Sequence, residues 1–320
     1  MKGMKRVIAL AITLAFAASL PLYIPEAFIY LLGLALLFAI LVVSWDVMVG
    51  YTGYVNLGHT VFVGIGAYTA ALLQSQRLAL PTLPVPASIV MGGFIAALVG
   101  LFIGIVTLRL RGYYFALVTA ILPLVFMQTV FIWPDIFGGE EGFTIEHGLA
   151  GSVVEKYYAA LLIAFVSIAV MLLIVNSPVG LKLKAIREDE ELAEAVGIDT
   201  VKYKIMAFVI SSFFAGIGGA AIVHYRMVVA PDLYDIPLML LVILSAVIGG
   251  LGTIYGPMIG GLLIYLAKNW WLKEVVDVFR FTALPINDDV ILYLILIVVA
   301  ILMPEGVYQG IKEKLKKERG

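Results

Sequence analysis

Long runs of apolar residues follow one another along the chain, and charged residues are confined to the short segments between them. A helix needs about 20 mostly apolar residues to cross a hydrocarbon core of roughly 30 Å, and most of these runs approach that length. The runs occupy residues 7–24, 27–44, 55–74, 85–108, 113–132, 157–175, 205–225, 237–249, 254–271 and 289–303. The alternation of apolar and polar residues that marks a barrel strand is absent from the sequence. We therefore predict an all-α integral membrane protein, a polytopic bundle of about ten transmembrane helices.

Two of these features leave alternatives open. The eighth and tenth runs are short for a full crossing, and the glycine-rich stretch 249–252 fits either a loop between crossings or the bend of a re-entrant pair. The first run follows Lys2, Lys5 and Arg6, so it also fits a secretory signal peptide. Keeping the first run as a transmembrane helix agrees better with the charge distribution.

Composition supports the bilayer as the solvent for this chain. Of its 320 residues 62% are hydrophobic and 13% are charged, and the mean hydropathy is +1.07. Soluble domains carry about 25% charged residues, so this chain has too few polar side chains to cover a water-facing surface. The net charge of −1 gives no reason to expect a nucleic-acid partner. The absence of cysteine excludes disulfides, thiolate metal sites and cysteine nucleophiles.

The distribution of basic residues predicts the orientation. With the N-terminus inside, most of the 21 lysines and arginines fall on the cytoplasmic side, as the positive-inside rule requires. Ten crossings then place both termini in the cytoplasm, an outer loop at 133–156 and an inner loop at 176–204. We predict a single transmembrane domain over residues 1–320, located in the cell membrane.

The segments between the runs are too short for an aqueous catalytic domain, which favours a transporter over an enzyme. The sequence has no phosphate-binding G-x-x-x-x-G-K-[ST] motif, no H-E-x-x-H zinc motif and no G-x-S-x-G nucleophile motif. His59, His147 and His224 lack the spacing of metal ligands. We predict no catalytic residue, no metal and no cofactor, and any ATP would be bound by separate subunits. An intramembrane enzyme is disfavoured because no catalytic pair is evident in the spans, and an ion-coupled secondary transporter because the spans are nearly free of charge.

The inner loop has the most informative pattern of the chain. Ser177-Pro178 predicts a helix start, and a second short helix is predicted from Asp189 to Val196, with Gly197 as its stop. The second helix has a small apolar face on an otherwise charged surface, which suits a socket in a partner protein. The alternative is a helix that rests on lipid headgroups, but membrane-surface helices are usually basic and this one is acidic.

Three blocks of sequence resemble the LivM-type permeases of branched-chain amino acid ABC importers. They are Gly50–His59 running on to Leu73, Gly180–Glu190 running through Gly197 to Lys204, and Gly249–Pro257. Leu110–Leu117 is also similar, so the resemblance spans nearly the whole chain, and its most specific part is Ala185–Glu190. The outer loop departs from the family pattern: residues 137–143 read Phe-Gly-Gly-Glu-Glu-Gly-Phe, where Thr-Gly-Gly-Ser/Asn-Asp-Gly is expected.

The resemblance implies a mechanism and a set of partners. This chain and a second, LivH-like permease subunit would form the pore, two ATP-binding cassette ATPases would dock beneath it, and an extracytoplasmic binding protein would deliver substrate. The substrates would be Leu, Ile and Val, with urea, another amino acid or a sugar as the alternatives among related permeases. The inner loop would be the ATPase-coupling loop, through Arg187, Glu190, Ala193, Glu194 and Gly197, the last four facing the ATPase.

Polar and glycine positions within or beside the runs are candidates for the transport pathway, with helix packing as the alternative. The candidates are Asn56, Gly58, His59, Gly64, Gly66, Gly249, Gly250, Gly252 and Gly256. Glycines at small-xxx-small spacing more commonly allow close helix contact, so packing is the favoured interpretation for them. Asp46 and His224 lie near predicted span ends, and we expect both to snorkel to the membrane surface or to face water.

Overall fold

The structure, a computed structural model, describes residues 15–75, 77, 82–110, 112–272, 294 and 298, and most of these residues are helical. In chain order the helices are α1 (Glu26–Thr52), α2 (His59–Gln74), α3 (Val85–Thr107), α4 (Tyr113–Ile132), α5 (Pro134–Phe137), α6 (Val153–Val175), α7 (Pro178–Glu188), α8 (Glu190–Ala195), α9 (Thr200–Arg226), α10 (Ile236–Gly249) and α11 (Tyr255–Leu266). Short 3-10 helices occupy Leu20–Leu22 and Pro231–Tyr234, and a π-helical segment, Ala267–Leu272, follows α11.

Five helices of the described part are long and apolar enough to cross a membrane: α1, α3, α4, α6 and α9. This confirms the all-α membrane class. Of the predicted run at 7–24 the structure describes residues 15–24, and of the run at 289–303 it describes only residues 294 and 298. Both termini lie outside the described residues.

Several predicted boundaries were off by four or more residues. Helix α6 begins at Val153 instead of residue 157 and α9 begins at Thr200 instead of residue 205, and two further errors concern the connection between α1 and α2. Helix α1 continues to Thr52 instead of ending at residue 44, because the polar side chain of Asp46 is fully buried and does not mark a membrane surface. Helix α2 begins at His59 instead of residue 55. Gly53, at φ +77°, turns the chain out of α1, and the Trp45 indole then donates to the carbonyl of Asn56 at 2.7 Å, which holds the non-helical segment against α1.

Helices α1 and α9 form the centre of the bundle. Helix α9 packs against α1, α2 and α3, and α1 packs in addition against α6 and α11. Small residues allow these crossings: a Cβ atom on Gly66 of α2 would overlap the backbone of Gly216 in α9. Helices α4 and α6 lie at the periphery, and large apolar side chains such as Leu117 and Leu162 are exposed there.

Helices α10 and α11, which correspond to the predicted eighth and ninth spans, form a tight hairpin. A Cβ atom on Gly249 would overlap the carbonyl oxygen of Gly256, and one on Gly260 would overlap that of Ser245. The 14 residues of α10 and the 12 of α11 span about 21 and 18 Å, so neither α-helix alone crosses a core of roughly 30 Å. The hairpin packs along α1.

The outer loop folds over the end of α9. Strand β1 (Phe143–Thr144) pairs antiparallel with β2 (Val228–Val229), and the amide of Leu149 donates to the carbonyl of His224 at 3.0 Å. These contacts satisfy polar backbone groups beyond the last turn of α9. The outer loop and the inner loop therefore lie at opposite ends of the bundle.

Candidate functional site

The inner loop contains the two helices that its sequence predicts. The Ser177 hydroxyl accepts from the amide of Val179 at 3.2 Å and caps α7, with Pro178 in the first turn. The Asp189 carboxylate caps α8 by accepting from the amide of Leu192 at 2.9 Å. Gly197, at φ +89°, ends this segment in a backbone conformation that favours glycine. Both helix starts and the stop are confirmed.

A buried charged cluster fastens α8 to the bundle. The Lys204 ammonium on α9 lies 2.6 Å from the Glu190 carboxylate and donates to the Tyr54 hydroxyl at 2.9 Å. The Tyr54 hydroxyl in turn donates to Glu190 at 2.7 Å. Burial raises the pKa of the Tyr54 phenol. The segment after α1, the start of α8 and the start of α9 are thus joined by one set of hydrogen bonds.

The faces of α8 differ from those that the sequence comparison implied. The resemblance implied that both Ala193 and Glu190 face outward. In the structure Ala193 is 3% exposed and Glu190 bonds inward to Lys204, so both side chains face the bundle. Glu194 is at the surface but accepts a hydrogen bond from the Thr200 hydroxyl at 2.6 Å. The two glutamate side chains turn towards α9 because Lys204 and Thr200 of α9 bind them. The helical pattern of the loop alone does not contain this information.

The outward surface of α8 and of the residue after it combines charged side chains with large exposed apolar ones. Leu192 is 61% exposed and Val196 is 70% exposed. Gly197 lies next to them, and a Cβ atom there would meet no atom of the described residues within 4 Å. Exposed apolar side chains on a charged helix are the usual sign of a contact surface for a partner.

The inner loop also contacts the turn of the α10–α11 hairpin through α1. The guanidinium of Arg187, at the end of α7, donates to the carbonyl of Gly50 at 2.6 Å. One turn earlier in α1, the Asp46 carboxylate accepts from the amide of Gly252 at 2.7 Å. A Cβ atom on Gly252 would meet both the Arg187 guanidinium and the Gly50 carbonyl. Arg187, the end of α1 and the hairpin turn therefore form one junction.

The hairpin turn has an unusual backbone. Gly250, Gly252 and Ile254 have φ angles of +96°, +75° and +61°. The first two positions favour glycine, and the third is a strained conformation for a β-branched residue. Such strain persists where surrounding contacts fix the backbone, and here the Asp46 carboxylate supplies one of those contacts.

Asp46 and His224, which we expected to snorkel to the membrane surface or to face water, are both buried. The two ring nitrogens of His224 lie 2.8 Å from the Ser88 hydroxyl and 2.9 Å from the carbonyl of His147, so it joins α9 to α3 and to the outer loop. Both residues were misjudged because a helix end in the sequence need not be a membrane surface in the fold. For Asp46, the only hint of burial in the sequence was the distant glycine-rich turn, whose Gly252 amide donates to its carboxylate.

The remaining polar pathway candidates lie in the packed interior. The ring nitrogen Nε2 of His59 lies 3.0 Å from the Ser44 hydroxyl, and the Asn56 side chain accepts from the amide of Gly58 at 2.9 Å. Both residues are buried.

The glycine candidates likewise lie at contacts between elements. Gly58 faces the backbone of Thr119 in α4, and Gly64 faces the ring of Tyr234. A Cβ atom at either position would overlap those groups. Gly249 and Gly256 face each other across the hairpin, as described above. Among the described residues there is no group of three or more His, Cys, Asp or Glu side chains that could hold a metal ion.

The chain matches the family model described as branched-chain amino acid transport system / permease component over residues 27–300. It is 28% identical over 296 residues to the high-affinity branched-chain amino acid transport system permease protein LivM of Escherichia coli, covering 83% of this chain and 68% of that protein. It is 25% identical over 290 residues to the LivH permease protein of Salmonella typhimurium, covering 84% and 90%. It is also 25% identical over 293 residues to the permease protein BraD of Pseudomonas aeruginosa, covering 84% and 91%. No solved structure matches the chain significantly.

Proposed function

Because the chain belongs to the family of branched-chain amino acid transport permease components, we propose that it forms part of an ABC importer that moves Leu, Ile and Val into the cell. It is a multi-pass membrane protein and a transport component, not an enzyme. The relatives named above are permease proteins of high-affinity branched-chain amino acid transport systems, which supports this choice of substrate.

The proposed complex contains other chains. Two ATPase subunits supply the energy, a LivH-like permease completes the pore, and a soluble binding protein presents the substrate outside. This chain is similar to LivM and to LivH relatives alike, which supports a pore built from two permeases of one fold. We assign no cofactor to this chain.

The proposed topology has ten transmembrane helices with both termini in the cytoplasm. The positive-inside count supports it. In this orientation the inner loop and the hairpin turn are cytoplasmic, and the ends of α9 and α6 next to the outer loop face outside.

The observation that carries the proposal is the junction between the inner loop and the hairpin. In the proposed complex α8 docks on an ATPase through Leu192 and Val196, next to Gly197. Glu190, Ala193 and Glu194 fix α8 to the permease. Arg187 then transmits a displacement of the loop to Gly50 and to the hairpin turn, so that ATP-driven movement alters the wall of the pathway.

The glycine candidates fit a supporting role in this proposal. Gly58, Gly64, Gly66, Gly249 and Gly256 bring helix backbones into contact around the pathway, while Gly250 and Gly252 form the turn that Asp46 and Arg187 hold. We propose that Asn56 and His59 fix the start of α2 beside α1 and do not touch substrate.

Co-purification with the ATPase subunits tests the coupling surface. We expect Leu192→Glu, Val196→Glu to lose most of the ATPase in detergent, because two carboxylates would be desolvated in an apolar socket. The control is Ile136→Glu, a single change of the same kind at an exposed apolar residue of the outer loop, which should retain the ATPase. Uptake of radiolabelled leucine into proteoliposomes, with binding protein and ATP, tests the function itself.

Equal ATPase recovery with the α8 variant and the control would contradict the proposal that Leu192 and Val196 form the ATPase contact. Leucine uptake that persists without any ATPase and follows an ion gradient would instead establish a secondary transporter.

A further inference from the structure

A cavity opens at the end of the bundle opposite the inner loop, between α1, α9 and the α10–α11 hairpin. Its volume is about 220 Å³. This is below the roughly 300–1,000 Å³ of sites for drug-sized ligands, so the cavity suits one small molecule. Four charged side chains line it, two of each sign: Arg226, Lys268, Asp232 and Asp235.

The charged side chains lie at the water-exposed mouth of the cavity. Arg226 ends α9, and its guanidinium lies 2.7 Å from the carboxylate of Asp232. The two side chains are 33% and 49% exposed, so both reach water. Asp235 caps α10 by accepting from the amide of Ile236 at 2.8 Å. Positive and negative groups thus lie side by side around one small opening.

The depth of the cavity is apolar. Leu34 and Phe38 of α1, Ile222 of α9 and Leu238 and Leu241 of α10 line it. Phe38 is 12 residues into α1, about 18 Å from its outer end, which is beyond half of a hydrocarbon core of roughly 30 Å. A solute whose charged groups stay at Arg226 and Asp232 would place its apolar part against this lining.

We propose that this cavity is a transient binding site for one zwitterionic amino acid with an aliphatic side chain, held by Arg226 at its carboxylate, by Asp232 at its ammonium group, and by Leu34, Phe38 and Leu238 at its side chain. The inference rests on the proposed import function and assigns this chain a direct part in substrate recognition.

Exchange of ionic partners makes such binding reversible. A zwitterion offers a carboxylate to Arg226 and an ammonium group to Asp232, so each side chain keeps an opposite charge when their mutual ion pair opens. Exposed ion pairs are individually weak, so opening this one opposes binding little. Charge-assisted hydrogen bonds to the ligand and burial of its side chain favour the bound state.

Ligands that lack one charge provide the test. Leucine, isocaproate (the same skeleton without the ammonium group) and isoamylamine (without the carboxylate) are titrated onto the full-length chain in lipid nanodiscs, with binding protein absent, and followed by saturation-transfer NMR. We expect leucine to bind about tenfold more tightly than either analogue, the ratio that one charged hydrogen bond supplies.

The variants separate the two charged contacts. Asp232→Asn should weaken leucine about tenfold and leave isocaproate unchanged or tighter, and Arg226→Gln should weaken leucine without weakening isoamylamine. Leu238→Trp should abolish binding of all three ligands by filling the apolar depth. Glu141→Gln, which removes a carboxylate from the exposed outer loop away from the cavity, is the matched control and should bind leucine as the wild type does.

Equal affinity for leucine and isocaproate, or an Asp232→Asn variant with unchanged preference, would overturn the inference. So would a chain that binds no leucine while the assembled importer takes up leucine normally, and in that case the proposed function stands. An assembled importer that moves no branched-chain amino acid would overturn the proposed function itself.

Discussion

Charged side chains occur at both ends of the helix bundle, but their surroundings differ. At the inner-loop end Lys204 is 2% exposed and Glu190 is 19% exposed, whereas at the outer-loop end Arg226 and Asp232 are 33% and 49% exposed. The nitrogen–oxygen distances are 2.6 and 2.7 Å, almost the same. The difference in burial therefore decides what each ion pair does: the inner pair joins elements, and the outer pair is replaceable by water or solute.

The comparison is tested most strongly at Lys204. Lys204→Met leaves Glu190 without its buried cation, and we expect it to lower the free energy of unfolding by about 3 kcal/mol. Thermal unfolding in detergent measures this. The double variant Lys204→Met, Glu190→Leu removes both charges and should recover much of the loss; a double variant less stable than the single one would contradict the burial argument.

Steric contact at the hairpin gives the next largest effect. Gly256→Ala places a methyl group against the carbonyl oxygen of Gly249, and we expect a loss of about 2 kcal/mol in unfolding free energy. The control is Gly151→Ala, whose Cβ would lie 3.6 Å from the Glu155 carboxylate, an ordinary contact. Equal stability of the two variants in the same unfolding assay would show that the hairpin backbones separate easily.

Arg187 tests whether the inner junction transmits movement. Arg187→Met removes the donor to the Gly50 carbonyl, and we expect leucine uptake by the assembled importer to fall about tenfold, the effect of losing one charged hydrogen bond. ATPase co-purification should be retained, because Leu192 and Val196 are untouched.

The matched control for Arg187 is Lys184→Met in the same helix. The Lys184 ammonium lies 5.1 Å from the centre of the Tyr51 ring, whereas the Arg187 guanidinium donates to the Gly50 carbonyl. Equal leucine uptake by the Arg187→Met and Lys184→Met variants would contradict the proposal that Arg187 transmits movement to the hairpin.

The smallest effect is expected at the outer pair. Arg226→Met should change the unfolding free energy by less than about 1 kcal/mol, because both charges remain in contact with water. Thermal unfolding under the conditions used for Lys204→Met gives a direct comparison. A loss as large as that of Lys204→Met would mean that the outer pair also holds the structure together.

The membrane class and the starts of the inner-loop helices were predictable from local patterns. Apolar runs reflect the solvent of a helix, and a capping serine or aspartate acts on amides two or three residues away. Helix α8 shows where local patterns stop being sufficient. Its ends were predicted, but the orientation of its faces depends on contacts with Lys204 and Thr200, which belong to the next helix, α9.

Asp46 was not predictable for the same physical reason. Its partner Gly252 is 206 residues away, and hydropathy alone places a carboxylate at a membrane surface. The cavity at Arg226 is lined by residues of α1, α9 and the hairpin. No single segment of the sequence could therefore predict it. Long-range contacts between small residues, such as Gly66 with Gly216, decide which helices meet, and these contacts have no period in the sequence.

The central position of α1 and α9 bears on how lipid composition acts on the protein. The exposed apolar side chains of α3, α4 and α6 form the surface available to acyl chains, and a bilayer of another thickness deforms or tilts the helices that it touches. The hairpin and the inner loop are fastened to α1 and α9, which are mostly surrounded by other helices. A change in acyl-chain length therefore reaches the hairpin turn largely through an outer layer of helices, which insulates the hairpin turn and the inner loop from the thickness of the membrane.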